Sequence, residues 1–593
     1  MSRPPARALP RPTAADLHGL MSVAAGRRPA DKVIRHINLV NVHLPRVEKD
    51  VALALHRDRI AATGPDLDHL IGPRTEVIEG GGRTAVPGLI DAHTHLDSMF
   101  TVREFARLAL VSGNTTAVSE AAMIAGAAGS AGVEGFMAEA AGLPLRVLFL
   151  APPLVPPFPH LETSAGLDFP SFRKILRRPE VVGLGETYWR PALDLPSRVT
   201  RRFAAARKSG KTLEGHAAGA HGPNLTAYRA GGITSCHEST TAQEALEKLA
   251  LGITVMVREG YIRRELPAMA PLTRMKDLDT RRLILCTDLA SPKMLLKSGV
   301  LNELVRRAVK TGFDVLKALQ MVTLNPADYF GLRDLGRLDP GALADLVLFD
   351  DLDRLNAELV LVGGRVVAEG GRLTVDLPDF TYPPGLHRSF RLERLAPGDF
   401  GLRAPSGPVQ VRAVAVVNET ITREELVRTT SERGRIKADP EKDLQKIAMF
   451  DKHSAPPRGS VGLARGWGLR AGALASSLNW DANNVFVVGA SDREMARAAN
   501  RLLELEGGIV VVKGGRVLAE MPLPVGGIIS EKTFRELLAE GDAVEKAVWD
   551  LGSKLTRPFL TLQTFCFTGL PFLRLTDKGL VDVRKGELVE VVV

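Results

Sequence analysis

Cysteine is scarce in this chain: Cys236, Cys286 and Cys566 are the only three among 593 residues. None stands at CxxC spacing, which excludes a thiolate-held structural zinc and a disulfide framework and points to a reducing, cytoplasmic setting. Aromatic residues are also few, at 5%. The Lys and Arg behind the net charge of +9 are scattered along the chain rather than interleaved with aromatic residues. A nucleic-acid partner is therefore not expected. No apolar run reaches the ~20 residues of a membrane span, and the Pro- and Arg-rich start, MSRPPARALPRPTAADLHGL, lacks the apolar stretch of a signal peptide. We expect no membrane partner, and we read residues 1–32 as an N-terminal extension.

Core material, by contrast, is plentiful: hydrophobic residues make up 45% of the chain and charged residues 24%. At 593 residues the chain exceeds the ~250–300 residues that one core supports, so two or three domains are expected. Short strand-like runs punctuated by Gly and Pro (VIRHINLVNV, VALALHRDRIAATG) fill residues 33–87, and runs of the same type (ADLVLFDDL, ELVLVGGRVVAEGG) return at 341–385. They predict one composite β-domain that flanks a large insertion.

Within that insertion, residues 88–340, apolar strands alternate with helical stretches: VREFARLALVSG then TTAVS, FRKILRRPE then VVGLG, AQEALEKLALG then ITVMV. About eight such units over ~250 residues predict an α/β fold of the (β/α)8 TIM-type barrel. A Pro-rich stretch at 386–404 reads as a linker, and 405–593 as a C-terminal α+β domain.

Catalytic groups of such barrels lie at the C-terminal ends of strands. Here His93 and His95 follow the apolar run AVPGLIDA, Glu186 follows VVGLG, His216 follows TLEG, His237 follows ITSC and Asp288 follows LILCT. The period-2 spacing of His93 and His95 aims both rings the same way. Four imidazoles and two carboxylates suit a pair of divalent metals bridged by a carboxylate. Glu238, Arg258 and His221 are candidate substrate contacts from adjoining loops. Asp97 shares the parity of the two histidines and is assigned to the substrate or to the support of a ligand.

The motifs PGLIDAHTHLDS, VVGLGE, GHAAGAHGPNLTAYRAGGITSCHESTTAQEALEKLALGITVMVREG, LQMVTLNPADYFGL, GRLDPGALADLVLFDD and GGIVVVKGGRVLAEMPLPVGG together resemble the adenine deaminase family of the amidohydrolase superfamily. The resemblance implies two divalent ions (manganese, iron or zinc) held by His93, His95, Glu186, His216, His237 and Asp288. It also implies Glu186 and Asp288 as catalytic carboxylates, Asp288 relaying the proton of a metal-activated hydroxide. The implied activity is deamination of adenine or a related aminopurine by a homo-oligomer, a dimer or larger.

Three stretches depart from the family pattern. The family's Asp-Pro-His-Glu is here Glu120, Ala121, Ala122 and Met123, and the residues after Asp288 are Leu289, Ala290 and Ser291. Trp480 and Asn483 stand where the family has histidines. These changes predict a more apolar pocket. They keep open a metal-dependent hydrolase of an amide, lactam or other C–N bond, and a catalytically silent relative.

Overall fold

The computed structural model describes residue 9 and residues 12–593. At its centre eight strands run parallel: β1 (Leu89–Thr94), β2 (Asn114–Ser119), β3 (Arg146–Ala151), β4 (Val181–Tyr188), β5 (Thr212–His216), β6 (Ser235–Cys236), β7 (Thr254–Arg258) and β8 (Leu283–Cys286). Hydrogen bonding joins β1 to β5 in chain order and, separately, β6 to β8. The ring closes where Thr94 bridges Asp288 in parallel. At the same seam the His95 amide donates to the Asp288 carbonyl (2.7 Å) and the Asp288 amide to the His93 carbonyl (3.0 Å). The fold is thus the TIM-type barrel expected from the alternation, and its closing seam lies at three of the ligand-type residues.

The barrel strands are apolar runs because crossover helices cover the outer face while the inner face packs on itself. All six residues of β1 and of β2 are buried. The helix Val102–Val111 follows β1; Thr101 caps it by accepting from the Glu104 amide, and it buries Phe105, Ala106, Ala109 and Leu110. Thr241 caps the helix Ala242–Ala250 in the same way through the Glu244 amide. Each cap satisfies one amide that the first turn leaves unpaired.

Beside the barrel lies a nine-stranded sheet. In it Thr84–Pro87 pairs parallel with Lys32–Asn41 and antiparallel with Leu346–Phe349, Val86 opposite Val347. Strands from both sides of the barrel segment therefore share one sheet. Part of the N-terminal stretch read as an extension is a helix, Ala14–Ala24, capped by Thr13 and Asp16. Its Val23 packs with Val33, Ala52 and Ala54 of that sheet; residues 1–8, 10 and 11 of the stretch lie outside those described. The segment 386–404 runs in short 3-10 turns rather than long elements. It buries Leu392, Leu395 and Phe400 against Met495, Ala499 and Leu502, so its apolar residues hold it to the third domain.

The third domain is built on a ten-stranded sheet from Leu402–Arg403 to Arg516–Pro522. It meets the barrel at the C-terminal end of β1, where Ile529–Ser530 pairs parallel with Met99–Phe100. The Phe100 and Phe534 rings meet edge to face at 4.8 Å, and the Phe534 amide donates to Glu104 (3.1 Å). Among the described residues no helix is long and apolar enough to cross a membrane.

Candidate metal centre and its pocket

Because β1 delivers His93 and His95 two residues apart, their rings converge, with centroids 5.4 Å apart and planes at 90°. The Nε2 atoms of both rings lie 3.4 Å from Oδ1 of Asp288 across the closing seam. Glu186, at the end of β4, sits between two histidines: one oxygen is 3.6 Å from His95 Nε2 and the other 3.0 Å from His237 Nε2. His237 stacks on His93 at 4.0 Å. His216 completes the group, its Nε2 3.2 Å from Glu238. The six ligand-type residues named from the sequence thus lie together, and all are buried.

Three overlapping sets have ligand atoms mutually within 4.8 Å: His93, His95 and Asp288; His93, Glu186 and His237; His216, His237 and Glu238. Both ring nitrogens of His93 lack a hydrogen-bond partner although buried. An unpartnered buried imidazole is costly, and a cation among these nitrogens and carboxylates would satisfy it. The donor set of imidazole and carboxylate fits zinc, manganese or iron.

The electrostatics favour the ligand forms of His237, Asp288 and Glu186, whereas burial is outweighed at His93, His95 and His216 by neighbouring carboxylates, which raise these three rings above the usual imidazole value. Burial and the adjacent His93 ring hold His237 down at about 4, so it is neutral at pH 7. Burial works against the charge of Asp288, yet His93, His95 and Arg258 hold its carboxyl well below the usual range. Burial likewise opposes the charge of Glu186, which His237, His95 and His216 bring down to about 2. Hydrogen bonds from the histidines, together with nearby positive charge, outweigh the desolvation of these carboxylates.

Arg258 is the hub of the charged network. Its guanidinium donates to Asp288 (3.1 Å), to Glu265 (2.7 Å) and to both oxygens of Glu238. Glu259 faces away, toward Arg307 (2.9 Å). Asp97 supports the site from behind. One oxygen accepts the Met123 and Ile124 amides (2.8 and 3.3 Å), and the other lies 3.7 Å from His95 Nδ1. Glu120 is a site residue that the sequence reading does not pick out: it accepts the Glu186 amide (2.8 Å) and its carboxylate lies 3.8 Å from His93 Nδ1. It closes β2 as the ligand-type residues close their strands, so the same strand-end rule finds it.

The group floors a cavity of about 210 Å³. Glu238 and Arg258 line it, whereas His221 and Asp97 do not. The half-exposed His221 ring instead bonds Glu247 (2.8 Å), which removes it from the expected substrate contacts. The third domain supplies one wall through Thr420, Ile421, Trp480, Thr564 and Phe567. The altered stretch at 121–123 lies outside the lining; the Met123 carbonyl instead accepts from Asn483 (2.9 Å). Leu289 and Ala290 are buried away from the cavity, and the Leu289 carbonyl accepts the Tyr261 amide (2.7 Å). Of the departures in sequence, Trp480 is the one that reaches the pocket. A second cavity of about 340 Å³, lined by Met99, Tyr261, Ser291 and Trp549, carries no group of ligand side chains among the described residues.

Comparison with known proteins agrees with this architecture. The amidohydrolase family matches residues 84–367, and the adenine deaminase C-terminal domain matches residues 419–587. An adenine deaminase of Moorella thermoacetica is 38% identical over 592 residues, covering 98% of this chain and 99% of the relative. Adenine deaminase 3 of Rhizobium meliloti is 36% identical, with 97% and 98% covered. An adenine deaminase of Clostridium botulinum is 34% identical, with 97% of each covered. With likeness of this extent running through barrel and third domain alike, the chain belongs to the adenine deaminase family of amidohydrolases.

Proposed function

We propose that this protein hydrolyses adenine to hypoxanthine and ammonia. The observation that carries the reading is Glu186 placed between His95 and His237, at the floor of a cavity that the third domain walls. In this reading two divalent ions, manganese, iron or zinc, are held by His93, His95, Glu186, His216, His237 and Asp288. When bound, they lower the pKa of water and stabilise developing negative charge.

The chain's own groups handle the proton and the substrate. Asp288 takes a proton from the attacking water as the oxygen adds to C6, and delivers it to the exocyclic nitrogen. The C6–N bond then breaks and ammonia leaves. Arg258 orients Asp288 and Glu238 together, and Glu238 faces the ring of the base as a hydrogen-bond partner. Asp97 and Glu120 fix the orientation of His95 and Glu186.

The reading assigns the chemistry to the barrel, 88–340, and pocket closure to the domain 405–593, with the composite sheet of 33–87 and 341–385 as scaffold. It places the protein in the cytoplasm, in keeping with three free, buried cysteines, as a homo-oligomer whose mass light scattering measures.

The test is ammonia release and the absorbance change from adenine to hypoxanthine with manganese-loaded protein. Asp288→Asn should retain metal and lose kcat by about 10²–10⁴-fold. No turnover of adenine, with good activity on a panel of amides and lactams, overturns the assignment; an active Asp288→Asn overturns the proton relay.

A further inference from the structure

We infer that the loop Trp480–Asn483 of the third domain is the substrate-recognition loop, with Trp480 and Phe567 forming one aromatic wall on which an uncharged, planar free base stacks. The inference rests on the proposed deaminase reading and specifies how its substrate is chosen.

Trp480 is 6% exposed and Phe567 5%, and both line the cavity above the ligand residues. The Trp480 ring stands edge-on to His95 at 6.0 Å and lies 6.2 Å from Phe567 with the planes tilted by 42°. Phe567 in turn stands edge-on to His216 at 6.5 Å. Separations of 4.5–7 Å are those of rings already in contact, at about van der Waals distance. No base enters between Trp480 and Phe567; the two rings present one surface instead. Such a surface meets every planar π-face and no particular hydrogen-bonding edge.

The loop is held to the barrel. Asp481 and Asn483 both adopt left-handed backbone, with φ of 62° and 50°. Two such residues in four persist where the surroundings over-determine them, as they do at ligand sites. Tyr188 donates to the Asp481 carboxylate (2.7 Å), Asn483 donates to the Met123 carbonyl (2.9 Å), and the Trp480 amide donates to the Gln563 carbonyl (3.0 Å). Two of these three partners, Tyr188 and Met123, belong to the barrel. The indole is therefore set relative to the ligand residues, not merely to its own domain.

Size selects the free base. The cavity, about 210 Å³, falls below the ~300–1,000 Å³ of sites that take drug-sized ligands. Of its two arginines, Arg258 is neutralised by Glu238, Glu265 and Asp288, while Arg263 gives one hydrogen bond, to the Thr420 hydroxyl (2.6 Å). Room rather than charge therefore disfavours a nucleotide.

The experiment compares Trp480→Ala, Trp480→Phe and Phe567→Leu in the full-length, metal-loaded protein. Loss of the wall should raise KM for adenine by about tenfold to a hundredfold, with kcat nearly unchanged and metal content intact, and Trp480→Phe should recover most of the loss. Hypoxanthine should quench tryptophan fluorescence in the wild type and not in Trp480→Ala, and AMP should quench neither. An unchanged KM in folded Trp480→Ala, a loss confined to kcat, or AMP binding as tightly as adenine overturns the inference. If Trp480→Ala does not fold, Trp480→Phe and Phe567→Leu decide the point through KM. If the wild type does not deaminate adenine, the proposed function fails separately, and hypoxanthine quenching still decides the aromatic wall.

Discussion

A β-carbon on Gly126 would collide with the carbonyl oxygen of Asp481. Gly126 lies in the helix Ala122–Ala140 that follows β2 of the barrel, and Asp481 lies in the loop that carries Trp480 into the pocket. The absence of one methyl group is what lets the third domain approach the barrel so closely.

Gly126→Ala should therefore displace the 480–483 loop. Overpacking of this kind costs about 1–3 kcal/mol, and the expected signature is a lowered melting temperature together with a raised KM for adenine. Metal content should not change, because the atoms nearest the added carbon belong to Asp481 and Val155, not to the six ligand-type residues. A variant with unaltered KM would show that the close approach does not set the pocket.

Arg258 is 3% exposed and holds three carboxylates, Glu238, Glu265 and Asp288. Replacing it by methionine leaves these charges buried without their partner, which costs about 3–5 kcal/mol. Denaturant unfolding should report that loss, and turnover should fall because Asp288 is no longer oriented. Adding Glu265→Gln to Arg258→Met should restore part of the stability, since burial already raises the Glu265 carboxyl to about 7. No recovery in the double variant would place the damage in packing rather than charge.

Glu162 gives a pH signature from a group outside the ligand-type set. It is 3% exposed and accepts from the Thr568 hydroxyl (2.8 Å) and the Phe158 amide (3.3 Å). Burial raises its carboxyl from 4.5 to about 8, so at neutral pH it stays protonated in the fold and ionises in the unfolded chain. Its presence is without cost below pH 4.5 and lowers stability progressively as pH rises toward 8, by an amount on the order of a few kcal/mol. Glu162→Gln keeps the acceptor and removes the titration, so the fall in melting temperature between pH 5 and pH 8 should become shallower. An unchanged slope would locate the pH dependence in other groups.

The barrel is legible in the sequence because alternating apolar strands and amphipathic helices are written in local periodicity. The clustering of the six ligand-type residues is legible because each ends a strand, where the fold brings all strand ends to one face. Glu120 obeys the same rule, but its place at the head of an altered loop hides it. His221 misleads because proximity to His216 in sequence does not fix where a loop side chain points, and Glu247 captures it on the surface. The stretch 386–404, lacking periodicity, carries no sign that Leu392, Leu395 and Phe400 are buried.

By itself the sequence determined the chemistry available: which strand ends carry imidazole and carboxylate, and that β1 aims two rings together, since period 2 is a property of the strand alone. Tertiary structure alone decided what shares the pocket with them. Trp480 lies 385 positions beyond His95 in the chain, yet their rings are 6.0 Å apart, an encounter set by the parallel pairing of Ile529–Ser530 with Met99–Phe100 and by the room left at Gly126. Packing between domains depends on surfaces assembled from distant segments, and no local pattern encodes it.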